Sequence, residues 1–437
     1  MREMKDSGVE WIGMIPSTWK NKTLRHLLID RVGGAWGNEP ANENEGTVCL
    51  RIADFDFDKG LFKECALDEL TYRTYTRKQI KKLALREGDI LIEKSGGGEK
   101  TPVGRAVYYD GSYGAVLYAN FMERLRFKSD EINSKFVEYW LRTWYFCRCS
   151  PFYINQTIGI QNIDLTLMLA KEQIFFPLLQ DQYKIADFLD QKCSEIDALT
   201  ADIQAQIETL EEYKKSVITE AVTKGLDPNV EMKDSGAKWL GAIPSSWKVN
   251  KLKFSLRRND IRKAGQHTVL SLYREFGVIP KDSRDDNHNV TSEDTSKYKF
   301  VRKGDFVINK MKAWQGSVAV SKYEGIVSPA YYVYNFINND INKDYFHYLM
   351  RSNYKHEFRR LSGGIREGQW DLPSDALDNT VIIIPPLEEQ RQIADFLDQK
   401  CSEIDQTIYE KQQQLETLAE YKKSLIYEYV TGKKEVA

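Results

Sequence analysis

The residues of this sequence whose types could do chemistry are cations, amides and aromatic rings in loops that follow predicted strands. Arginine and lysine can read guanine edges or hold phosphates, and asparagine and glutamine can read adenine edges. Each residue alone is more typical of a solvated loop, but such residues recur at corresponding places in both halves of the chain. We therefore predict nucleic-acid contacts by Trp36, Lys94, Lys100, Arg105, Gln156, Gln161 and Asn162 in the first half, and by Tyr273, Arg274, Lys310, Lys312, Trp314, Gln315, Arg366 and Gln369 in the second.

Catalytic motifs are missing from the sequence. Asp89 and Glu93 could form a carboxylate pair for metal-dependent chemistry, but the second half has Asn309 where the first has Glu93. The run Gly96–Gly98 lacks the GK[ST] ending of a phosphate-binding loop, and no NPPF- or DPPY-like turn of a DNA methyltransferase is present. We therefore expect no catalytic residue, no metal site and no cofactor on this chain.

Two repeated sequence segments flank the stretches that contain the candidate residues. IADFLDQKCSEID occurs at Ile185–Asp197 and at Ile393–Asp405, and a second repeat occurs at Met4–Lys20 and Met232–Lys248. The stretches between these segments are largely unlike each other. Because an internal repeat decides architecture before any local pattern does, we predict two equivalent halves that present different loops.

The net charge of −2 hides a segregation of charge along the chain. Residues 185–227 carry four lysines against ten acidic residues, and residues 393–437 carry six lysines against nine. The rest of the chain therefore has a net charge of +7. This pattern is expected if the variable parts approach phosphates and the repeated parts do not. The alternative is that long helices simply carry solvated acidic faces.

Short apolar runs would position the candidate loops. Gly88–Lys94 and Gly304–Lys310 contain apolar and β-branched residues after a turn, which predicts buried strands. Aromatic residues recur at helical spacing over Phe136–Phe146 and Tyr345–Phe358, which predicts a helix in each half. Each variable stretch is therefore predicted to be a mixed α/β domain.

A long helix is predicted after each variable stretch. Pro177 and Pro385 precede these segments, and neither contains proline or glycine until Gly225 and Gly432. An apolar stripe recurs every seven residues in both, with Lys411 interrupting the second. In the first helix the stripe consists of Leu189, Ile196, Ile203, Leu210 and Val217, and Leu199 and Tyr213 follow Ile196 and Leu210 by three residues. In the second helix it consists of Leu397, Ile404, Leu418 and Leu425, with Ile408 and Leu415 beside it.

Connectivity predicts how the two helices pair. Only the short linker Lys224–Glu231 separates the first helix from the second leader, so the second variable domain must lie near the end of that helix. A second helix that pairs with the first then runs back toward the first domain. The predicted fold class is mixed α/β domains with two long antiparallel coiled-coil helices and a pseudo-two-fold internal repeat.

Composition sets the broad class of protein. A chain of 437 residues with 42% hydrophobic residues is long enough for two globular domains. No run approaches 18 uncharged apolar residues, and the N-terminal residues lack the apolar core of a signal peptide. Six cysteines without metal-ligand spacing predict reduced thiols in a cytoplasmic protein.

The repeats resemble a known family. P-x-L-x-x-Q at Pro177–Gln182 and Pro385–Gln390, running into IADFLDQKCSEID, is similar to the conserved regions of type I restriction–modification specificity subunits. The leaders WIGMIPSTW and WLGAIPSSW carry the same resemblance, as do GGAWGNEP at Gly33–Pro40 and KMKAWQGS at Lys310–Ser317. The resemblance covers essentially the whole chain.

This resemblance implies a function that composition does not show. Such subunits are non-catalytic and carry two target recognition domains, each reading half of a split, asymmetric sequence in double-stranded DNA. Their helices separate the domains and bind two methyltransferase subunits, to which two restriction subunits can be added. S-adenosylmethionine, ATP and magnesium would then bind to the partners, and the complex would work in the cytoplasm of a bacterium or archaeon.

The expected domain boundaries follow the repeats, and two other functions remain open. The first leader and recognition domain would span residues 1–176 and the first helix 177–226, with the second leader and domain at 227–384 and the second helix at 385–437. The alternative function is a protein scaffold with two binding domains separated by a coiled coil. A single-chain DNA-modifying enzyme is disfavoured by the missing motifs.

Overall fold

The computed structural model describes residues 2–42, 46–63, 66–114, 116–156, 159–262, 267–284, 294–364 and 370–436. It divides the chain into two compact units. The first unit comprises Met1–Ile203 and Gln413–Ala437, and the second comprises Gln204–Gln412. Each unit thus takes part of both long helices.

A four-stranded antiparallel sheet forms the centre of the first unit. Its strand order is Ala106–Tyr108, Ile90–Glu93, Met122–Phe127 and Leu28–Gly33. Ile90–Glu93 is buried along its whole length, which confirms the strand predicted from its apolar run. Asp89 just before it accepts a hydrogen bond from the amide of Arg86 and forms an ion pair with Arg126 at 2.7 Å. This carboxylate therefore closes a turn and ties two strands together.

Smaller elements surround this sheet in the first unit. The helix Ser134–Phe146 is capped by the side chain of Asn133 and buries Trp140 and Trp144 in the core. The other strands are Met4–Asp6, Met14–Pro16, Lys20–Thr23, Thr47–Leu50, Phe55–Asp56, Leu61–Phe62, Tyr72–Arg73, Ser95–Gly96, Leu117–Tyr118, Ile154–Gln156, Gln161–Ile163 and Gln173–Phe176, and the other α-helices are Leu24–Leu27, Arg77–Leu83 and Leu165–Lys171.

The second unit repeats this central sheet with different residues. The order here is Val318–Val320, Phe306–Asn309, Tyr331–Phe336 and Leu256–Arg258. Phe306–Asn309 is buried along its whole length, as predicted. The remaining strands are Met232–Asp234, Ala242–Pro244, Lys248–Lys251, Leu270–Tyr273, Gly277–Pro280, Lys299–Val301, Gly325–Val327 and Val381–Ile384.

The helical part of the second unit differs from the prediction. Instead of one helix over Tyr345–Phe358, the chain forms Lys343–Arg351 and Tyr354–Leu361, with a short helix Ser374–Asp378 further on. The first of these ends at Ser352, whose ψ of −132° lies outside the helical range and whose hydroxyl donates to the carbonyl of Leu349 at 2.6 Å. The aromatic spacing predicted helical residues but could not show this break.

The two long helices span Leu179–Lys224 and Leu387–Val430. In the first unit Phe188 packs on Tyr429, with 4.6 Å between ring centroids, and Lys422 pairs with Asp197 at 2.6 Å. These contacts run in opposite sequence directions along the two helices. In this unit the helices are therefore antiparallel.

The second unit shows the same direction of pairing. Lys214 pairs with Asp405 at 2.5 Å, and the amine of Lys411 donates to the side-chain oxygen of Gln206. The lysine that interrupts the apolar stripe thus binds the opposite helix. The predicted antiparallel coiled coil is confirmed within each unit.

The residues that pack beside the apolar stripe of the first long helix were assigned wrongly from the sequence. Leu199 and Tyr213 are 46% and 49% exposed, whereas Cys193 and Ile207 are buried. The buried residues beside the stripe therefore lie four positions after Leu189 and Ile203, rather than three positions after Ile196 and Leu210. Steps of three and four residues alternate in a heptad, so both spacings are compatible with a coiled coil.

A buried glutamine anchors the start of each long helix to its unit. Gln182 donates to the carbonyl of Pro177 at 3.0 Å and accepts from the amide of Asn133 at 2.8 Å. Gln390 does the same with Pro385 at 2.8 Å and Asn342 at 2.7 Å. The glutamine of the repeated P-x-L-x-x-Q segment therefore fixes the long helix against the helix that follows Asn133 or Asn342.

The C-terminal ends of the long helices pack on the leaders. Gly225 and Gly432 follow the helices with φ values of 80° and 70°, a conformation that favours glycine. A Cβ on Gly432 would lie 2.8 Å from the ring of Trp19, so a larger residue would not fit. In the described residues, no helix is long and apolar enough to cross a membrane.

Candidate nucleic-acid interface

A small three-stranded sheet collects most of the predicted contacts of the first unit. Its order is Ser95–Gly96, Gln161–Ile163 and Ile154–Gln156. Lys94 joins this sheet to the buried strand before it, since its amide donates to Phe121 at 2.9 Å and its carbonyl accepts from Ile163 at 3.0 Å. The backbone therefore brings Lys94, Gln156, Gln161 and Asn162 together.

The two amides on the middle strand have different surroundings. Gln161 is buried, and its side-chain oxygen accepts from the amide of Val103 at 3.2 Å. Asn162 is exposed and accepts from the hydroxyl of Ser95 at 2.5 Å. Gln161 thus holds the loop that carries the exposed Lys100, while Asn162 is open to a ligand.

Arg105 lies against an internal carboxylate. Its guanidinium donates to both oxygens of Glu93, at 2.9 and 3.0 Å, and stacks over Phe57 at 3.7 Å. Glu93 is almost fully buried. This bidentate pair supports the end of the buried strand and occupies the acceptor-binding edge of the arginine.

Trp36, in the loop after the strand Leu28–Gly33, packs against a cation. Trp36 is 41% exposed, and the guanidinium of Arg73 lies 4.4 Å from the centre of its ring. Phe121, whose carbonyl accepts from Lys94, is 47% exposed. Sequence reasoning missed Arg73 and Phe121, because neither belongs to a repeated motif or a glycine-rich break.

The loop after the buried strand of the second unit carries another cation and an aromatic pair. Lys310 forms an ion pair with Asp371 at 2.8 Å, and this hydrogen bond raises the pKa of the Lys310 amine. Trp314 packs against Trp370 with ring centroids 5.4 Å apart. Lys312 is exposed next to them. The structure therefore gathers Lys310, Lys312, Trp314 and the half-buried Gln315 at one strand end.

Tyr273 ends the first strand of the hairpin Leu270–Tyr273 and Gly277–Pro280, and Arg274 begins its turn. The guanidinium of Arg351 donates to the carbonyls of Arg274 and Glu275, so the turn is held from inside the unit. The Arg274 side chain itself is exposed. Arg366 and Gln369 lie outside the described residues.

An arginine on the edge strand of each central sheet was not anticipated. Arg31 pairs with Leu125 across the first sheet, and Arg258 pairs with Tyr334 at the matching place in the second. Arg258 also stacks over Tyr332 at 4.7 Å. The signal that could have found them is the cation in each strand that follows the repeated leader.

The acidic residues that flank the buried strands bind other groups of the protein, at the loop end in Glu93 and at the opposite end in Asp89 and Asp305. Asp305, the counterpart of Asp89, accepts from the amide of Arg302 at 2.8 Å and from the side chain of Asn335 at 2.6 Å. Burial raises its pKa, although these hydrogen bonds lower it. Within the described ranges, no group of three or more metal-binding side chains occurs. The described parts of the loops therefore present cations, amides and rings.

Comparisons with known proteins agree on one family. The family model of the type I restriction modification DNA specificity domain matches residues 42–209 and 258–417. The chain is 26% identical to the MjaX specificity subunit of a type I restriction enzyme from Methanocaldococcus jannaschii, over 97% of this chain and 95% of that protein. It is 28% identical to the MjaVIII specificity subunit of the same organism, over 81% of this chain and 80% of that protein.

Two solved structures share the fold. One comes from a study of complex assembly and conformational transition of the type I R-M system, with a TM-score of 0.69, 13% identity, and coverage of 96% of this chain and 99% of that chain. The other is the HsdS subunit from Thermoanaerobacter tengcongensis, with a TM-score of 0.53, 13% identity, and coverage of 96% and 98%.

Proposed function

The chain belongs to the type I restriction–modification DNA specificity subunits, and from this premise we propose that each unit reads one half of a bipartite, asymmetric target in double-stranded DNA. The family establishes DNA recognition. The division of the target between the two units is our proposal, and it is supported by the repeated fold with unlike loops.

One observation carries this proposal. Lys94 and Lys310 follow the same buried strand at the same end of equivalent sheets, since Glu93 pairs with Met122 and Asn309 with Tyr331. The loops of each unit also carry a side-chain amide and a tryptophan, and these differ between the units: Asn162 and Trp36 in the first, Gln315 and Trp314 in the second. A shared cation with unlike neighbours is the arrangement expected of two readers that hold DNA alike but recognise different bases.

We assign different roles to the candidate residues. Lys94, Lys100, Lys312 and Arg274 would hold phosphates, since their amines or guanidinium groups are exposed or half-exposed. Asn162 and Gln315 would contact base edges, and Trp36 and Trp314 would pack against the DNA surface. Gln161 and Arg105 would position loops, because their polar groups already bind Val103 and Glu93. Gln156, Tyr273, Lys310, Arg366 and Gln369 remain proposed contacts.

The long helices are proposed to bind the partner subunits. Their acidic repeats would receive two methyltransferase subunits, to which two restriction subunits can be added. S-adenosylmethionine, ATP and magnesium would bind to these partners, so this chain would be non-catalytic. The complex would act in the cytoplasm of a bacterial or archaeal cell.

The proposal can be tested by DNA binding of the chain assembled with its methyltransferase partner. Lys94→Ala and Lys312→Ala should each weaken binding and reduce the slope of log affinity against log salt by about 1, because each removes one phosphate contact. Lys128→Ala, which follows the strand Met122–Phe127 at the end away from Lys94 and is paired with Glu131, is the matched control and should leave the slope unchanged. Binding that is insensitive to salt and to both substitutions would favour a protein scaffold instead.

A further inference from the structure

A cavity of about 430 Å³ lies in the second unit, where three elements meet beside the second long helix. The volume falls within the range of small-molecule sites, about 300–1,000 Å³. Its lining comes from the turn before the buried strand, the end of the neighbouring strand, the helix Lys343–Arg351 and one residue of the second long helix, Asp398. The residues that matter are Lys303, Ser321, Lys322, Lys343, Asp344, His347, Tyr348 and Asp398.

This cavity is separate from the loops proposed to read DNA. Phe306 pairs with Val320 and Ile308 pairs with Val318, so Gly304 and Ser321 lie at one end of the sheet, and Asn309 lies at the other. Five residues of strand separate Gly304 from Asn309, or about 17 Å at about 3.3 Å per residue. A molecule in the cavity would therefore not occupy the place proposed for DNA.

Three cations converge on the cavity without carboxylate partners. Among the described residues, Lys303, Lys322 and Lys343 form no ion pair within 4.0 Å. Asp398 lines the same space, and its carboxylate accepts from the hydroxyl of Tyr348 at 2.6 Å. Asp344 is the other acidic residue of the lining, so three ammonium groups face two carboxylates.

His347 also lines the cavity, and its imidazole is neutral. Its Nδ1 accepts from the amide of Val320 at 3.2 Å, which leaves the proton on Nε2. Burial, followed by the nearby charges of Arg351 and Lys322, lowers the pKa of the imidazole to about 3. The ring therefore stays uncharged at neutral pH and can donate one hydrogen bond to an anion without adding a carboxylate or a cation.

The first unit has acidic residues in place of two of these lysines and lacks the third lysine. The amide of Gly88 donates to the carbonyl of Tyr109 at 3.0 Å, and the amide of Gly304 donates to the carbonyl of Ser321 at 2.7 Å. These equivalent hydrogen bonds show which residues of the first unit correspond to the lining of the cavity, and we call this place the corner of each unit. The counterparts of Lys303, Lys322, Lys343 and His347 are Glu87, Asp110, Ser134 and Glu138. Because the framework is shared, the fold does not require lysines at this corner.

We propose that this cavity of the second unit binds the phosphate groups of a small phosphorylated molecule, through Lys303, Lys322, Lys343 and the N–H of His347. Lysine ammonium groups and an imidazole N–H are donors without acceptor capacity at these atoms, which suits phosphoryl oxygens. A recess of this size can hold a di- or triphosphate. The corresponding corner of the first unit, which is acidic, binds no such molecule.

The test is isothermal titration of the full-length chain with inorganic pyrophosphate. The wild-type chain should bind one equivalent. The double variant Lys303→Glu with Lys322→Asp places the residues of the first unit at this corner and should weaken binding at least tenfold. The matched control is Lys248→Glu with Lys251→Asp, which changes the same charge at exposed positions of the strand Lys248–Lys251 and should bind as the wild type does.

Two further measurements keep the outcome decisive. Circular dichroism should show that both double variants are folded, and Lys343→Ala alone should weaken pyrophosphate binding if the first variant does not fold. Equal affinity in the wild type and the lysine variants would overturn the proposal. Displacement of pyrophosphate by a short DNA duplex would overturn the assignment to a small molecule, because the site would then be part of the DNA surface.

Discussion

Replacing Gln390 by leucine tests the anchor that fixes the second long helix to its unit. Leucine nearly matches the volume of glutamine but makes no hydrogen bonds, so the amide of Asn342 and the carbonyl of Pro385 lose their partners. Each unsatisfied buried group costs about 1–3 kcal/mol. We therefore expect the second unit to lose about 2–6 kcal/mol of unfolding free energy. A third bond, to the carbonyl of the exposed Asp340, can be replaced by water.

The repeat provides an internal comparison. Gln182→Leu removes the equivalent two bonds from the first unit, to Asn133 and Pro177, and should cost a similar amount there. Gln399→Leu is the matched control, because Gln399 is exposed and bonds only to Glu403 along the same helix. This change should lie within about 0.5 kcal/mol of the wild type.

Urea denaturation, followed by tryptophan fluorescence and circular dichroism, measures these differences. Each unit is expected to have its own transition, so the midpoint of the affected unit should shift while that of the other shifts less. If Gln390→Leu were as stable as Gln399→Leu, the buried bonds would contribute little, and the proposed anchoring role would be wrong.

Three other substitutions test the packing and electrostatics of the first unit by the same denaturation assay. Tyr429→Ala should cost about 1–3 kcal/mol, because it removes the ring packed on Phe188. Lys422→Met should cost about 1–3 kcal/mol, because it leaves the carboxylate of Asp197 without its cation. Glu138→Gln should make stability less dependent on pH, because burial raises the pKa of this carboxyl above its usual 4.5 despite the opposing charges of nearby cations. Relative to the variant, the wild type should lose stability as pH rises above 4.5, because its folded state binds this proton more tightly than the unfolded state does.

Matched controls make these outcomes decisive. Tyr421→Ala removes an exposed ring of the same helix, and Lys423→Met removes a neighbouring amine that is largely exposed. Both should change stability by less than about 0.5 kcal/mol. Equal effects in control and test variants would contradict the first two expectations. Parallel pH profiles for the wild type and Glu138→Gln would contradict the third.

Much of the architecture could be predicted from local patterns in the sequence. Proline before and glycine after each long helix, with an apolar heptad between them, predicted the helices, and the short linker Lys224–Glu231 predicted their antiparallel pairing. Two buried strands followed from short apolar runs. The assignment of Leu199 and Tyr213 beside the stripe was wrong because both three- and four-residue steps are apolar nearby, and only the position of the opposite helix decides between them.

The candidate site was less predictable because its chemistry depends on partners distant in sequence. Nothing local indicates that Arg105 would face Glu93 or that Gln161 would face the amide of Val103. Phe121 and Arg73 were missed for the same reason. The residues of the loops thus indicate a binding surface, whereas their individual roles depend on contacts that the fold creates.

The most direct test of two readers on one chain is methylation sequencing of DNA from cells that express this chain with the methyltransferase subunit proposed as its partner. The wild-type chain should yield one split motif with two specified parts and an unspecified gap. Exchanging the recognition domain of the second unit for that of a relative should change one part of the motif and leave the other unchanged. A single uninterrupted motif, or a change in both parts, would contradict the assignment of one half-site to each unit.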